Sequence, residues 1–101
     1  MAGVSRQDQP FETIEADFGF GPVTIYYRRV NIRERRLIRA AHEKSVDDFY
    51  VENLFLRSRG ENQMRLWKST AEREDIELNF DPDEVDRVVN LMYAKADTAG
   101  N

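Results

Sequence analysis

The chain has 101 residues, 15 basic and 19 acidic side chains, one histidine and no cysteine; 41% of it is hydrophobic and 11% aromatic. That length fits one small domain with a modest core, and the aromatic content argues against a disordered chain. The lack of cysteine removes disulfides, thiolate metal sites and cysteine nucleophiles together, no stretch approaches the ~18 apolar residues of a membrane helix, and the net charge of −4 disfavours nonspecific nucleic-acid binding by the whole molecule.

Residues 1–10 are polar, end at Pro10 and predict a mobile tail. They carry neither a secretory signal nor an N-myristoylation pattern, which points to a cytoplasm. From Phe11 the pattern has period two. Ile14, Ala16, Phe18 and Phe20 fall on one face, with Glu15 and Asp17 on the other. This predicts a half-buried strand. Gly19-Phe20-Gly21-Pro22 is a turn cluster, and Val23, Ile25 and Tyr27 alternate beyond it as a second strand. Together they predict an antiparallel hairpin. Two strands alone are marginal in water, so the hairpin needs helices or a neighbouring subunit against one face.

Asn31 and Glu34 form a capping box ahead of Leu37, Ile38 and Ala41, so a helix begins here. Its other face is almost all arginine. Ser45 caps a second helix, with Asp47 and Asp48 in the first turn, where the helix dipole favours acids. Val46, Phe49, Tyr50, Asn53 and Leu54 share one face, and Val51, Phe55 and Leu56 widen it. A helix this apolar is buried on more than one side or leaves a patch for a partner. Arg59-Gly60-Glu61-Asn62 ends the pattern, with Gly60 suited to the position after a helix. Met64–Trp67 is expected to be extended and to pack back on the core. Ser69 and Glu72 predict a short helix over 70–77. Asp81 caps a last helix, with Pro82 in its first position and Glu84 closing the box; Val85, Val88, Val89, Met92 and Tyr93 form its apolar stripe. The expected domain is α+β, an N-terminal antiparallel hairpin followed by three to four helices over residues 11–95, with residues 96–101 frayed.

Charge is segregated along the chain. Residues 26–44 carry Arg28, Arg29, Arg33, Arg35, Arg36, Arg39 and Lys44 against Glu34 and Glu43, a local balance of +5. Residues 72–87 carry eight acids against Arg73 and Arg87, a balance of −6. The two regions can neutralise each other or meet charged partners.

Enzymatic chemistry finds little purchase. His42 is the one ordinary neutral-pH base, and His42-Glu43-Lys44-Ser45-Val46 lacks the second histidine of a zinc-protease motif. Asp81, Asp83 and Asp86 lack the glycine and terminal glutamate of a calcium loop, and capping accounts for them without a metal. Gly19 and Gly21 precede a strand rather than a helix, so they are no nucleotide fingerprint. A non-enzymatic protein with no cofactor and no metal is expected. The arginines Arg28, Arg29, Arg33, Arg36 and Arg39 support an alternative, a small nucleic-acid-binding or regulatory protein; a structural tail or connector subunit is a third reading.

Several of these segments occur in a familiar order. The strand Val23-Thr24-Ile25-Tyr26-Tyr27 runs into Arg29-Val30-Asn31-Ile32-Arg33-Glu34-Arg35. An acidic helix start, Asp47-Asp48-Phe49-Tyr50-Val51-Glu52-Asn53-Leu54, follows. Then come Arg65-Leu66-Trp67 and Asp81-Pro82-Asp83-Glu84-Val85. This order resembles the tail assembly chaperones of long-tailed bacteriophages and prophages, over nearly the whole of residues 11–95. The resemblance implies a protein of the bacterial host cytoplasm, not retained in the mature virion. It implies binding to the tape measure protein, a very long and largely helical chain, and recruitment of tail tube subunits around it. Many such proteins have a short and a frameshift-extended form. No residue-level role transfers with the resemblance. The candidate partner contacts read from this chain are Phe49, Tyr50, Phe55 and Trp67, together with Arg29, Arg33 and Arg36. The same four aromatics are candidates for the core, although a domain this small does not bury every large aromatic fully. The hairpin's need for cover also allows self-association.

Overall fold

The computed structural model describes residues 11–99. Strands β1 (Glu12–Asp17) and β2 (Pro22–Tyr27) form an antiparallel hairpin. Four helices follow: α1 (Ile32–Lys44), α2 (Val46–Arg57), α3 (Thr70–Asn79) and α4 (Pro82–Ala99). The architecture is α+β, as the patterning predicts. The tail expected over residues 1–10 lies outside the described residues. Helix α4 continues past Asp97, where fraying is expected, to Ala99.

In the hairpin Ile14 stands opposite Ile25, and Ala16 opposite Val23. Successive side chains alternate faces, so Ile14, Ala16, Ile25 and Tyr27 share the buried side. On the other face Thr24 Oγ1 donates to Glu15 at 2.8 Å, a cross-strand pair. The alternation stops at Asp17. Its carboxylate accepts the N–H groups of Gly19 (2.9 Å) and Gly21 (3.1 Å). Both glycines sit at positive φ, +115° and +112°, where side chains are disfavoured. The turn thus takes Phe20 off the face it was expected to share with Phe18. Phe18 is 1% exposed and Phe20 is 59% exposed.

Helices supply the cover that the hairpin requires. Helix α2 is central and touches α1, α3 and α4, while α4 also packs against β1. Leu54, Val88, Val89 and Met92 meet Phe18, Ile25 and Tyr27 in a core without exposed surface to speak of. The other edge of the hairpin is closed by a bridge. Tyr26 and Arg59 exchange two backbone hydrogen bonds, each 2.9 Å, and Arg59 in turn pairs with Arg65. This pairing explains two local outcomes. Helix α2 ends at Arg57, with Ser58 extended, because Arg59 is drawn alongside β2. Gly60 is therefore not a left-handed helix terminus. It lies in the turn back to Arg65, where a Cβ would meet Asn62 Oδ1 at 3.3 Å and Leu66 Cδ2 at 3.4 Å. Leu66 N–H then donates to Ser58 O at 3.0 Å, and Leu66 and Trp67 pack against the core, whereas Met64, expected to pack with them, is 53% exposed at the turn.

Caps set the helix starts. Asn31 Oδ1 accepts the Glu34 N–H (2.8 Å), and Glu34 returns the bond to the Asn31 N–H (3.1 Å). Ser69 and Glu72 form the same reciprocal box, and α3 runs two residues beyond the expected end, to Asn79. Ser45 Oγ accepts the Asp48 N–H at 3.0 Å. At α4 the expected box is not made. Asp81 Oδ1 accepts the Asp83 N–H (3.0 Å), but the Asp81 N–H donates to Phe18 O at 2.9 Å. With that donor already taken, Glu84 turns to the hairpin and accepts the Asp17 N–H at 2.9 Å. Arg87 binds Glu84 at 2.7 Å and donates to Glu15 O at 2.8 Å. The start of α4 is thereby clamped to the end of β1.

The Arg87 guanidinium, followed by the Asp17 N–H, holds the Glu84 carboxyl down to about 2 from its ordinary 4.5. A carboxyl lowered on folding stabilises the fold above its unfolded value, and that contribution is lost as pH falls through the folded one. Glu84→Gln is therefore expected to lower stability at pH 7 and to flatten the acid limb between about pH 4.5 and about pH 2. Urea melts across a pH series check this; parallel curves for the two proteins would refute it.

Candidate functional site

The candidate aromatics do not form one patch. Phe49 is half-buried, with its ring 5.0 Å from His42, 5.3 Å from Tyr50 and 5.8 Å from Tyr93. Tyr50 is also half-buried, and its hydroxyl donates to Asn90 Oδ1 at 3.1 Å. Trp67 belongs to a second group, edge-on to Phe80 at 5.3 Å and to Phe18 at 6.1 Å. Phe55 is buried, and the Arg65 guanidinium lies over its ring at 4.5 Å. Phe55 belongs to the core cluster, with 9% of its surface exposed. Its position follows from α2 being wrapped by three other helices.

Arg29, Arg33 and Arg36 are exposed, as are Arg35 and Arg39. On α1, Arg35, Arg36 and Arg39 border a shallow groove with Ile32 and Ala40. Ile32 is 65% exposed. Among the described residues, no ion pair joins these arginines to the acids of residues 72–86. Those acids pair instead with local cations: Glu77 with Arg73 at 2.6 Å and Glu84 with Arg87 at 2.7 Å. Arg73 also reaches Glu52 at 2.9 Å and so ties α3 to α2. The two charged regions are thus left facing solvent rather than each other.

Two features are hard to see in the sequence. The first is a buried polar group on α2. Asn53 is fully buried; its Nδ2 donates to Phe49 O at 2.9 Å, and its Oδ1 accepts from Tyr93 Oη at 2.8 Å. Arg57, 3% exposed, reaches the same Oδ1 at 3.5 Å and Arg28 O at 3.2 Å. Its guanidinium lies 5.0 Å from the Tyr93 ring and 5.7 Å from that of Tyr27. Burial pushes Arg57 below its ordinary value, while the nearby Tyr93 and Glu34 oppose that shift. Burial likewise pushes the Tyr27 hydroxyl up to about 12. Asn53 among the apolar positions of a helix was the one available signal, since a polar residue there must find partners.

The second is a groove of about 550 Å³ between the start of α2, the end of α3 and the start of α4. Tyr50, Val51, Ile76, Phe80 and Val85 line its floor, with Leu78 at the side. Leu78 is 72% exposed. Asp47, Asp48, Glu77 and Asp86 stand around it. Burial, then Asp83 and Asp47, pushes the Asp86 carboxyl above the ordinary aspartate value. Leu78 stands open because α3 is short and buries only Ile76.

No family model, curated protein or solved structure matches this chain. Among the described residues, no helix is long and apolar enough to cross a membrane. The geometry alone therefore describes the site. It is a polar-rimmed apolar groove on one side and an arginine-lined helix on the other.

Proposed function

We propose that this protein is a non-enzymatic tail assembly chaperone of a long-tailed bacteriophage or prophage, one that binds the tape measure protein and recruits tail tube subunits. The observation that carries this reading is the groove beside α2, where Tyr50, Val51 and Leu78 offer apolar surface to a partner. A long helical client presents apolar stripes that aggregate in water, and helix-in-groove packing covers such a stripe. Segregated charge adds to the fit, because it steers encounter and fixes register without consuming the apolar surface. The order of sequence segments that resembles this family is the second support. Action in the host cytoplasm, before the virion is complete, belongs to the same proposal.

Co-expression with fragments of a tape measure protein tests it. The soluble share of a fragment is expected to rise several-fold when this chain is present. An unchanged share for every fragment along the tape measure protein overturns the reading. The neighbouring genes give an independent check, with a very long helical reading frame expected just downstream.

A further inference from the structure

We propose that the groove between α2, α3 and α4 docks a basic amphipathic helix of the client, with the client's apolar side chains on Tyr50, Val51 and Leu78 and its cations against Asp47, Asp48 and Asp86. The nature of the client rests on the chaperone reading above; the chemistry of the groove stands on its own geometry.

The floor sets the apolar half of the partner. A volume of about 550 Å³ lies within the usual size of sites that take up side chains or small ligands. Its walls are three helices, which offer no unpaired strand edge to an extended peptide. A helix that places residues i, i+3 and i+4 into the groove is the form that fits. Leu78, standing 72% exposed beside the groove, extends the apolar contact outward.

The rim sets the charged half. Glu77 is already neutralised by Arg73. Asp47, Asp48 and Asp86 have no ion pair among the described residues, and neither does the neighbouring Asp83. Asp47 and Asp48 lie in the first turn of α2, where acidic side chains complement the helix dipole. Asp86 is partly desolvated and repelled by Asp83 and Asp47. A cation brought against these carboxylates relieves that repulsion, whereas an anionic helix adds to it. The rim thus selects the sign of the partner, and the floor supplies the contact area.

The test uses the full chain and two labelled peptides of about 18 residues, long enough to hold helix once bound. One carries a leucine stripe flanked by lysine and arginine; its twin has glutamate at every basic position. The basic peptide is expected to bind at least about tenfold more tightly, a preference that weakens as salt rises. The double variant Asp47→Lys with Asp86→Lys is expected to lose that preference and favour the acidic twin. If the reversal unfolds the chain, the milder Asp47→Asn with Asp86→Asn is expected to weaken basic-peptide binding several-fold. Thermal melts establish that each variant is folded. Equal affinity for the two peptides, or unaltered binding by folded groove variants, overturns the proposal. So does an oligomer, seen by sedimentation, that Arg35→Glu with Arg36→Glu dissolves while peptide binding rises, because the groove then holds α1 of a second copy. The groove and chaperone readings fail separately. Tape measure fragments still solubilised by the groove variants sink only the groove. Selective peptide binding without any solubilised fragment sinks only the chaperone reading.

Discussion

Phe18→Ala is expected to cost roughly 3–5 kcal/mol, a large part of the stability of a domain this size. Phe18 is 1% exposed and stacks on Phe80 at 5.0 Å, with Trp67 edge-on at 6.1 Å. It stands where the hairpin turns and where its own carbonyl accepts the Asp81 N–H at 2.9 Å. One ring therefore joins β1, the segment after α2 and the junction of α3 with α4. Truncation leaves a cavity that backbone paired on several sides cannot collapse into. At about 4–8 °C per kcal/mol the midpoint of thermal unfolding falls by some tens of degrees. Phe20→Ala is the control. Its ring touches Phe18 and Phe80 at 6.0 and 5.0 Å but stays 59% exposed, so the expected loss is about 1 kcal/mol. Chemical denaturation of both variants decides the matter. Similar losses at the two positions would mean that the turn does not divide them as described.

The second large effect is expected at Asn53. Asn53→Leu keeps the branched shape of the side chain but deprives the Tyr93 hydroxyl and Arg57 of an acceptor and Phe49 O of a donor. Buried polar groups left without partners cost about 1–3 kcal/mol each, so a total loss of roughly 2–4 kcal/mol is expected. Arg57→Met should behave differently. It removes a buried charge that no carboxylate neutralises directly, and an apolar residue of similar length fills the space. Such replacements are often neutral or stabilising. Combining the two relieves part of the Asn53→Leu penalty, because the guanidinium that lost its acceptor is gone. A double-mutant cycle is expected to show this as a compensating coupling of about 1–2 kcal/mol. Strictly additive losses would show that Asn53 and Arg57 do not act together.

Both predictions concern groups that sequence patterning reads only in part. Period-two alternation places Phe18 and Phe20 on one face, because it carries no knowledge of where pairing ends. The end is set by Asp17, which ties down two glycine N–H groups and reverses the chain. Asn53 falls on the apolar face of α2 by helical spacing, yet its partner Tyr93 is remote in the chain, as is Arg28, whose carbonyl accepts from Arg57. The candidate contacts divide in the same way. The surface exposure of Arg33 and Arg36 follows from an apolar stripe that lies elsewhere on α1, while Arg29 is exposed in the connection before that helix. Phe55 and Trp67 could not be assigned to core or surface by spacing, because α2 is apolar almost all round and Trp67 lies in an irregular segment.

The hairpin, the helix starts and the segregation of charge are all legible along the chain. These are local matters: glycines at a turn, a side-chain oxygen three residues before an amide, runs of one sign. How the segments complete one another depends on contacts between residues far apart in the chain. The tertiary structure turned Glu84 from a cap into a clamp on β1, because Phe18 O had already taken the Asp81 N–H. It ended α2 early by drawing Arg59 alongside Tyr26, and it sank Phe55 beneath Arg65. It also gave the net charge of −4 its spatial meaning. Acids gather beside an apolar groove while the arginines line a separate helix, and no ion pair among the described residues joins the two.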